Sequence, residues 1–262
     1  MRGILVAAGL PRFGASDAPT GLLPVHDKAL MDYALEALLA AGIRRILIVA
    51  APADAPSYQA HLGGGEKWGA WFSYLIAPAP APASSCALAM AVALGGEFVG
   101  RRTVALAAAD RVITGRGLDA QLKHAAQLKK GARVFVCDGA AADSSADSTA
   151  ADSAADSAAV ASVPVAAADS AAEPSPGLAP GQTYAGLFFY DSSAAARMLE
   201  IARQSPAPAP PRLADLHRAY QTAGRLRVET LDRAVKSLRV TGPDSLRAAA
   251  RAVAAARRES PP

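Results

Sequence analysis

The chain has 262 residues, 52% of them hydrophobic, enough to fill the core of an enzyme-sized body, although much of that fraction is alanine and aromatic residues make up only 5%. The net charge of +4 comes from 27 basic and 23 acidic side chains; many acids gather in one segment, and Arg247, Arg251, Arg257 and Arg258 cluster near the C-terminus. On an alanine-rich helix such arginines form a solvated face, so no nucleic-acid partner is expected. Cys86 and Cys137 lack the paired spacing or neighbouring histidine of a zinc site, redox pair or disulfide scaffold. The first apolar run ends at Leu10-Pro11, too short for a signal peptide or membrane span, so the expectation is a cytoplasmic protein with reduced thiols and no membrane partner.

In chain order, Gly3-Ile4-Leu5-Val6-Ala7-Ala8-Gly9 is an apolar run stopped by glycine, the pattern of a strand buried on both faces. Leu30, Met31, Tyr33, Ala34, Leu35, Leu38 and Leu39 recur at helical spacing within 27–41, with Gly42 as the stop, and Arg45-Ile46-Leu47-Ile48-Val49 reads as a second buried strand. Strand, helix and strand in this order predict a right-handed crossover and a doubly wound α/β fold, with the ligand crevice beyond the C-terminal strand ends. Further strands are predicted at 71–76, 103–109, 133–137, 185–191 and 226–231, and further helices at 87–98, 213–224 and 245–258. The Ala-Pro tract at 77–85 reads as a loop, since proline can continue neither helix nor central strand. Asp110 closes the strand at 103–109, at the end where such sheets do chemistry; a strand-end acid can also serve merely to cap the following helix.

From Ala140 to Ser170, within an insertion at about 140–182, the chain is mostly Ala, Asp and Ser, with Asp143, Asp147, Asp152, Asp156 and Asp169 in Asp-Ser pairs. A segment without large apolar side chains cannot offset the entropy of ordering it, so it is expected to be a surface insertion in one domain spanning 1–258, with a frayed tail at 259–262. A calcium-binding repeat would need glycines for its tight turns, and these are missing.

Several stretches together, in order and spacing, resemble the sugar-1-phosphate nucleotidyltransferases, and among these the glucose-1-phosphate thymidylyltransferases most. They are Met1-Arg2-Gly3-Ile4-Leu5, Leu22-Leu23-Pro24-Val25-His26-Asp27-Lys28, Ala40-Ala41-Gly42-Ile43-Arg44-Arg45-Ile46-Leu47-Ile48, Ala185-Gly186-Leu187-Phe188-Phe189-Tyr190-Asp191, Tyr220-Gln221-Thr222-Ala223-Gly224-Arg225-Leu226 and Asp244-Ser245-Leu246. The resemblance implies a mixed, mostly parallel sheet of the Rossmann-like nucleotide-diphospho-sugar transferase type, and a reaction of a nucleoside triphosphate with a sugar-1-phosphate to give a nucleotide sugar and pyrophosphate. It also implies Mg²⁺ as cofactor and a possible homo- or hetero-oligomer.

The same resemblance assigns roles residue by residue. The family's first loop, GGxGTRL, is matched by Ala8-Gly9-Leu10-Pro11-Arg12-Phe13, so Ala7, Ala8 and Gly9 would line the nucleotide and Arg12 would clamp its phosphates. Pro11 brings no amide hydrogen near the second glycine, and the following Lys and Gln positions hold Thr20 and Gly21. The base-reading turn Gly-Leu-Ala-Gln-Ala becomes Ala87-Leu88-Ala89-Met90-Ala91, retaining Leu88 and losing the Gln amide. Asp110 matches the metal-binding acid of Gly-Asp-Asn, now flanked by Ala109 and Arg111, and the second metal ligand, from Leu-Asp-Thr-Gly, is replaced by Arg239. If the fold brings Arg239 to Asp110, an ion pair is expected where Mg²⁺ would sit, because an unpartnered buried acid is costly. On the sugar side, Glu173 stands in the remnant of Glu-Lys-Pro, although it can equally be a chance loop acid, and Gly186 matches a glycine that lets the sugar approach, although a strand glycine can be a packing feature. The substitutions together predict weak or no nucleotidyl transfer, with a non-catalytic regulatory partner of an active relative as the alternative.

Overall fold

The structure is a computed structural model that describes residues 1–13, 18–78, 84–138, 176–179, 181–205 and 210–258. The Ala/Asp/Ser segment from 139 to 175, Glu173 within it, and the tail at 259–262 lie outside the described residues.

Seven strands form one mixed sheet: β1 (Arg2–Val6), β4 (Arg45–Ala50), β5 (Trp71–Ile76), β6 (Val104–Ala108), β8 (Ala132–Asp138), β9 (Gln182–Tyr190) and β10 (Leu226–Thr230), in the order β10-β8-β9-β6-β1-β4-β5. The pairs β1–β4, β1–β6, β4–β5 and β8–β10 are parallel, and β9 runs antiparallel to both β6 and β8. The mostly parallel, doubly wound architecture read from the strand and helix order is therefore the one observed. Two small antiparallel ribbons complete the strand set among the described residues: β2 (Pro24–Val25) with β3 (Lys28–Ala29), and β7 (Arg111–Gly115) with β11 (Val235–Arg239).

Side-chain alternation sends Leu5, Ile46 and Ile48 to one face of the sheet and Ile4, Val6, Leu47 and Val49 to the other, and all of these are buried. Both faces being covered explains why the central strands are continuous apolar runs. The first face packs against α1 (Leu30–Ala40), α2 (Ala55–Leu62) and α5 (Leu118–Ala125) through Leu35, Leu38, Tyr58 and Leu122. The second packs against α3 (Ser84–Leu94), α4 (Gly96–Val99), α6 (Ala194–Gln204) and α7 (Leu213–Thr222) through Val92, Val99, Met198, Leu216 and Tyr220. Each fully buried leucine or methionine contributes about 2 kcal/mol of transfer free energy, whereas the many buried alanines add much less. A third cluster, Val25, Leu30, Tyr33, Val112 and Val240, is closed by Ala249 and Val253 of α8 (Pro243–Arg258).

Two of the four expected helices differ from the observed ones by more than two residues at an end. The helix expected from residue 27 starts at Leu30, because the preceding residues fold into the β2–β3 hairpin, with His26 in the left-handed region (φ 62°) and Val25 held by the Tyr33 hydroxyl, which donates to its carbonyl at 2.8 Å. The Asp32 carboxylate then accepts from the Ala29 amide at 3.2 Å and caps the first turn. The helix expected at 87–98 starts at Ser84 and divides at Gly95 into α3 and α4. No helix among the described residues is long and apolar enough to cross a membrane.

A candidate ligand cavity at the strand ends

Strand β6 delivers Asp110 to its C-terminal end, where the residue is only 2% exposed. The chain then turns into β7, whose partner β11 returns alongside in a register that sets Arg239 opposite Arg111. The Val240 amide donates to the Asp110 carbonyl at 2.8 Å, and Arg239 Nε donates to Asp110 Oδ2 at 2.9 Å. The ion pair drawn from the sequence is thus formed, and the short ribbon is the device that forms it. Asp110 Oδ1 is also buried, and no hydrogen-bond partner for it occurs among the described residues.

These residues form one wall of a cavity of about 220 Å³. Leu88, from the first half of α3, and Gly186, Tyr184 and Phe188, from β9, line it, with Leu213 and His217 of α7 opposite. Of the residues singled out from the sequence, Asp110, Leu88, Gly186 and Arg239 are brought together here. Gly186 has φ 81°, and a Cβ at this position would stand 2.8 Å from Arg111 Cγ. Arg111, noted in the sequence as the replaced flank of Asp110, therefore crosses the opening that the glycine leaves.

The first loop is arranged differently. Ala7 and Ala8 are buried in the core, Gly9 takes φ 72°, and none of the three lines the cavity. Arg12 forms an ion pair with Asp54, at the start of α2, and is 52% exposed. Thr20, which stands where the resemblance would have a lysine, donates its hydroxyl to the Pro11 carbonyl and so ties down the loop.

His217, which the sequence reading passed over, anchors the far wall. Its Nε2 is 2.7 Å from the Tyr190 hydroxyl and its Nδ1 is 3.0 Å from that of Tyr184. Tyr184 donates its own proton to the Pro176 carbonyl at 3.0 Å, so it accepts from Nδ1–H, and Tyr190 donates to an unprotonated Nε2. A neutral imidazole satisfies this chain of bonds, and burial lowers the His217 pKa to about 3. In the sequence His217 was one residue of a helical pattern; only the pairing with two tyrosines from β9 marks it.

Any resident Mg²⁺ would have to be held by this set of groups. A divalent cation of that size takes about six oxygen ligands. Among the described residues, Asp110 offers one carboxylate oxygen without a hydrogen-bond partner, the other charged side chains lining the cavity are the arginines Arg111 and Arg239, and no group of three or more His, Cys, Asp or Glu is disposed to hold a metal ion. The residues present do not fit the metal.

Residues 15–146 match the family described as Nucleotidyl transferase. Glucose-1-phosphate thymidylyltransferase of Neisseria meningitidis is 32% identical over 231 residues, covering 87% of this chain and 73% of that protein. The enzyme of the same name from Mycolicibacterium smegmatis is 31% identical over 254 residues, covering 94% and 80%. Among solved structures, a Bacillus anthracis protein assigned as a glucose-1-phosphate thymidylyltransferase and solved with sucrose superposes with a TM-score of 0.71 at 19% identity, over 98% of this chain and 95% of that one. Apo UDP-glucose pyrophosphorylase superposes with a TM-score of 0.63 at 16% identity, over 98% and 99%. At such identities the two structures speak for the fold, and the sequence matches speak for descent. The chain belongs to the nucleotidyl transferase family.

Proposed function

We propose that this chain is a glucose-1-phosphate thymidylyltransferase-like protein that binds a sugar phosphate or nucleotide sugar in the cavity at Asp110 and carries out little or no nucleotidyl transfer. The observation that carries the reading is the Arg239–Asp110 contact: a guanidinium stands 2.9 Å from the acid that the family resemblance makes a metal ligand. A bound cation neutralises a triphosphate and moves with its developing charge, whereas a guanidinium held by a carboxylate has already spent much of its field on that partner. The loop supports the same reading, since Arg12 faces Asp54 and Thr20 bonds Pro11. Removing one positioned charge from an active site typically costs on the order of a hundred- to a thousand-fold in rate.

Binding is a separate matter. Asp110 Oδ1 is an acceptor ready for a sugar hydroxyl, and Arg111 and Arg239 supply positive charge for a phosphate. Tyr184, Phe188 and Leu88 provide the apolar wall that sugar and base rings use. The test is a pyrophosphate-release assay with glucose-1-phosphate and each nucleoside triphosphate in Mg²⁺, run beside calorimetry with the same ligands and the nucleotide sugar. Binding without turnover is expected, and is the behaviour of a non-catalytic partner of an active relative. Turnover at ordinary enzyme rates, about 1 per second or faster, would overturn the proposal.

A further inference from the structure

Three arginines converge at the opposite end of the sheet, where the central strands begin. The parallel register of β1 and β4 sets Gly3 beside Ile46, so Arg2 and Arg45 stand at neighbouring strand starts. The Arg2 amide donates to the Thr103 carbonyl at 3.0 Å, which brings Arg102 to the same edge. With Met1 they line a depression of about 260 Å³, and no acidic side chain contributes to its lining. The Arg2 guanidinium lies over the Phe98 ring, 4.9 Å from its centroid, and its Nε is buried with no hydrogen-bond partner among the described residues. Arg45 stands 6.0 Å from the ring centroid of Trp71, a side chain 67% exposed.

Like charges gathered in one depression repel, and the aromatic contacts of Arg2 and Arg45 hold the guanidiniums in place without neutralising them. A buried donor without an acceptor adds a desolvation cost that a bound ligand would relieve. Planar guanidiniums pair with the oxygens of a phosphate in a forked geometry, and their convergence from three strand ends presents donors to one anion from several sides. We propose that this depression binds a phosphate-class oxyanion, separate from the cavity at Asp110. The exposed Trp71 indole beside it allows two sources of that chemistry: a free inorganic polyphosphate, or the phosphate chain of a nucleotide whose base stacks on the indole.

The chain has two tryptophans, Trp68 and Trp71, so the Trp68→Phe protein reports from Trp71 alone. Titrated with pyrophosphate, its emission should change saturably, with an affinity that falls as salt rises. Arg102→Gln, exposed and outside the contact with Trp71, should weaken that binding about tenfold while leaving the melting temperature without ligand unchanged. A nucleoside triphosphate binding tighter than inorganic tripolyphosphate would identify the nucleotide as the source, and equal binding would identify the free anion. Absence of a saturable change, or equal affinity with and without Arg102, would overturn the proposal.

Discussion

Two buried aspartates close neighbouring strands of the same sheet, and they are treated in opposite ways. Asp191, after β9, is saturated: Oδ1 accepts from the Ser193 amide at 3.0 Å, the Ser193 hydroxyl at 2.6 Å and the Tyr220 hydroxyl at 2.8 Å, and Oδ2 accepts from the Gly131 amide at 2.6 Å. Asp110, after β6, has a guanidinium on one oxygen and no partner among the described residues on the other. Burial raises the pKa of Asp191, but the donors of Ser193, Gly131 and Tyr220 outweigh it and hold the carboxyl below its usual value. A carboxylate whose acceptor sites are all filled from its own fold is a structural tie, here joining β9 to α7 and to the turn before β8. One left with an open oxygen on a cavity wall is available to a ligand.

The largest effect should come from breaking the saturated corner. Asp191→Ala leaves the buried Gly131 amide without an acceptor and the Tyr220 hydroxyl with only Ser193 Oγ at 3.3 Å, and denaturant unfolding should show a loss of about 4 kcal/mol. At the other corner, Arg239→Met strands the Asp110 charge; because Arg239 is 31% exposed, the loss should fall near the low end for buried pairs, about 3 kcal/mol. Adding Asp110→Asn to Arg239→Met should recover most of that loss. If the double variant is no more stable than Arg239→Met alone, the contact contributes through packing and not through charge.

A third effect separates His217 from Asp191 by pH. The His217 pKa is about 3 in the fold against an ordinary 6.5, so the unfolded chain binds the extra proton between these values. Stability from the neutral ring is complete above pH 6.5 and is lost as pH falls towards 3, by about 2 kcal/mol between pH 7 and pH 5. Asp191, with its lowered pKa, contributes stability that is lost only in the more acidic range, as pH falls through its folded value. Melting temperatures of the wild type and His217→Asn across pH 5–7 should show a slope in the first and a flatter line in the second; parallel slopes would remove His217 as the source. The smallest effect is expected for Gly186→Ala: with φ 81° and Arg111 Cγ 2.8 Å from the new Cβ, it should cost about 1–2 kcal/mol in unfolding experiments and displace Arg111 from the cavity.

What could be read from the sequence is what depends on near neighbours along the chain. Continuous apolar runs at 45–49 and 103–109, the glycine stop at Gly42 and the alternation of helix with strand determined a doubly wound sheet, because a strand covered on both faces leaves no room for polar residues. The family motif order matched Asp110 and Arg239 to two acids of one metal site and led to the expectation of an ion pair should the fold bring them together; across 129 residues it does, at 2.9 Å. Tertiary structure decided the rest. The β7–β11 ribbon pairs strands, Arg111–Gly115 and Val235–Arg239, whose mixed polar and apolar residues form no continuous apolar run to announce them, and it sets Arg111 across Gly186. The fate of Arg12 depended on where α2 places Asp54, and the neutrality of His217 on two tyrosines from another strand. Hydrogen-bond partners and burial are set by packing between distant segments, so a side chain's identity states which bonds it can make, and only the fold selects which of them are made.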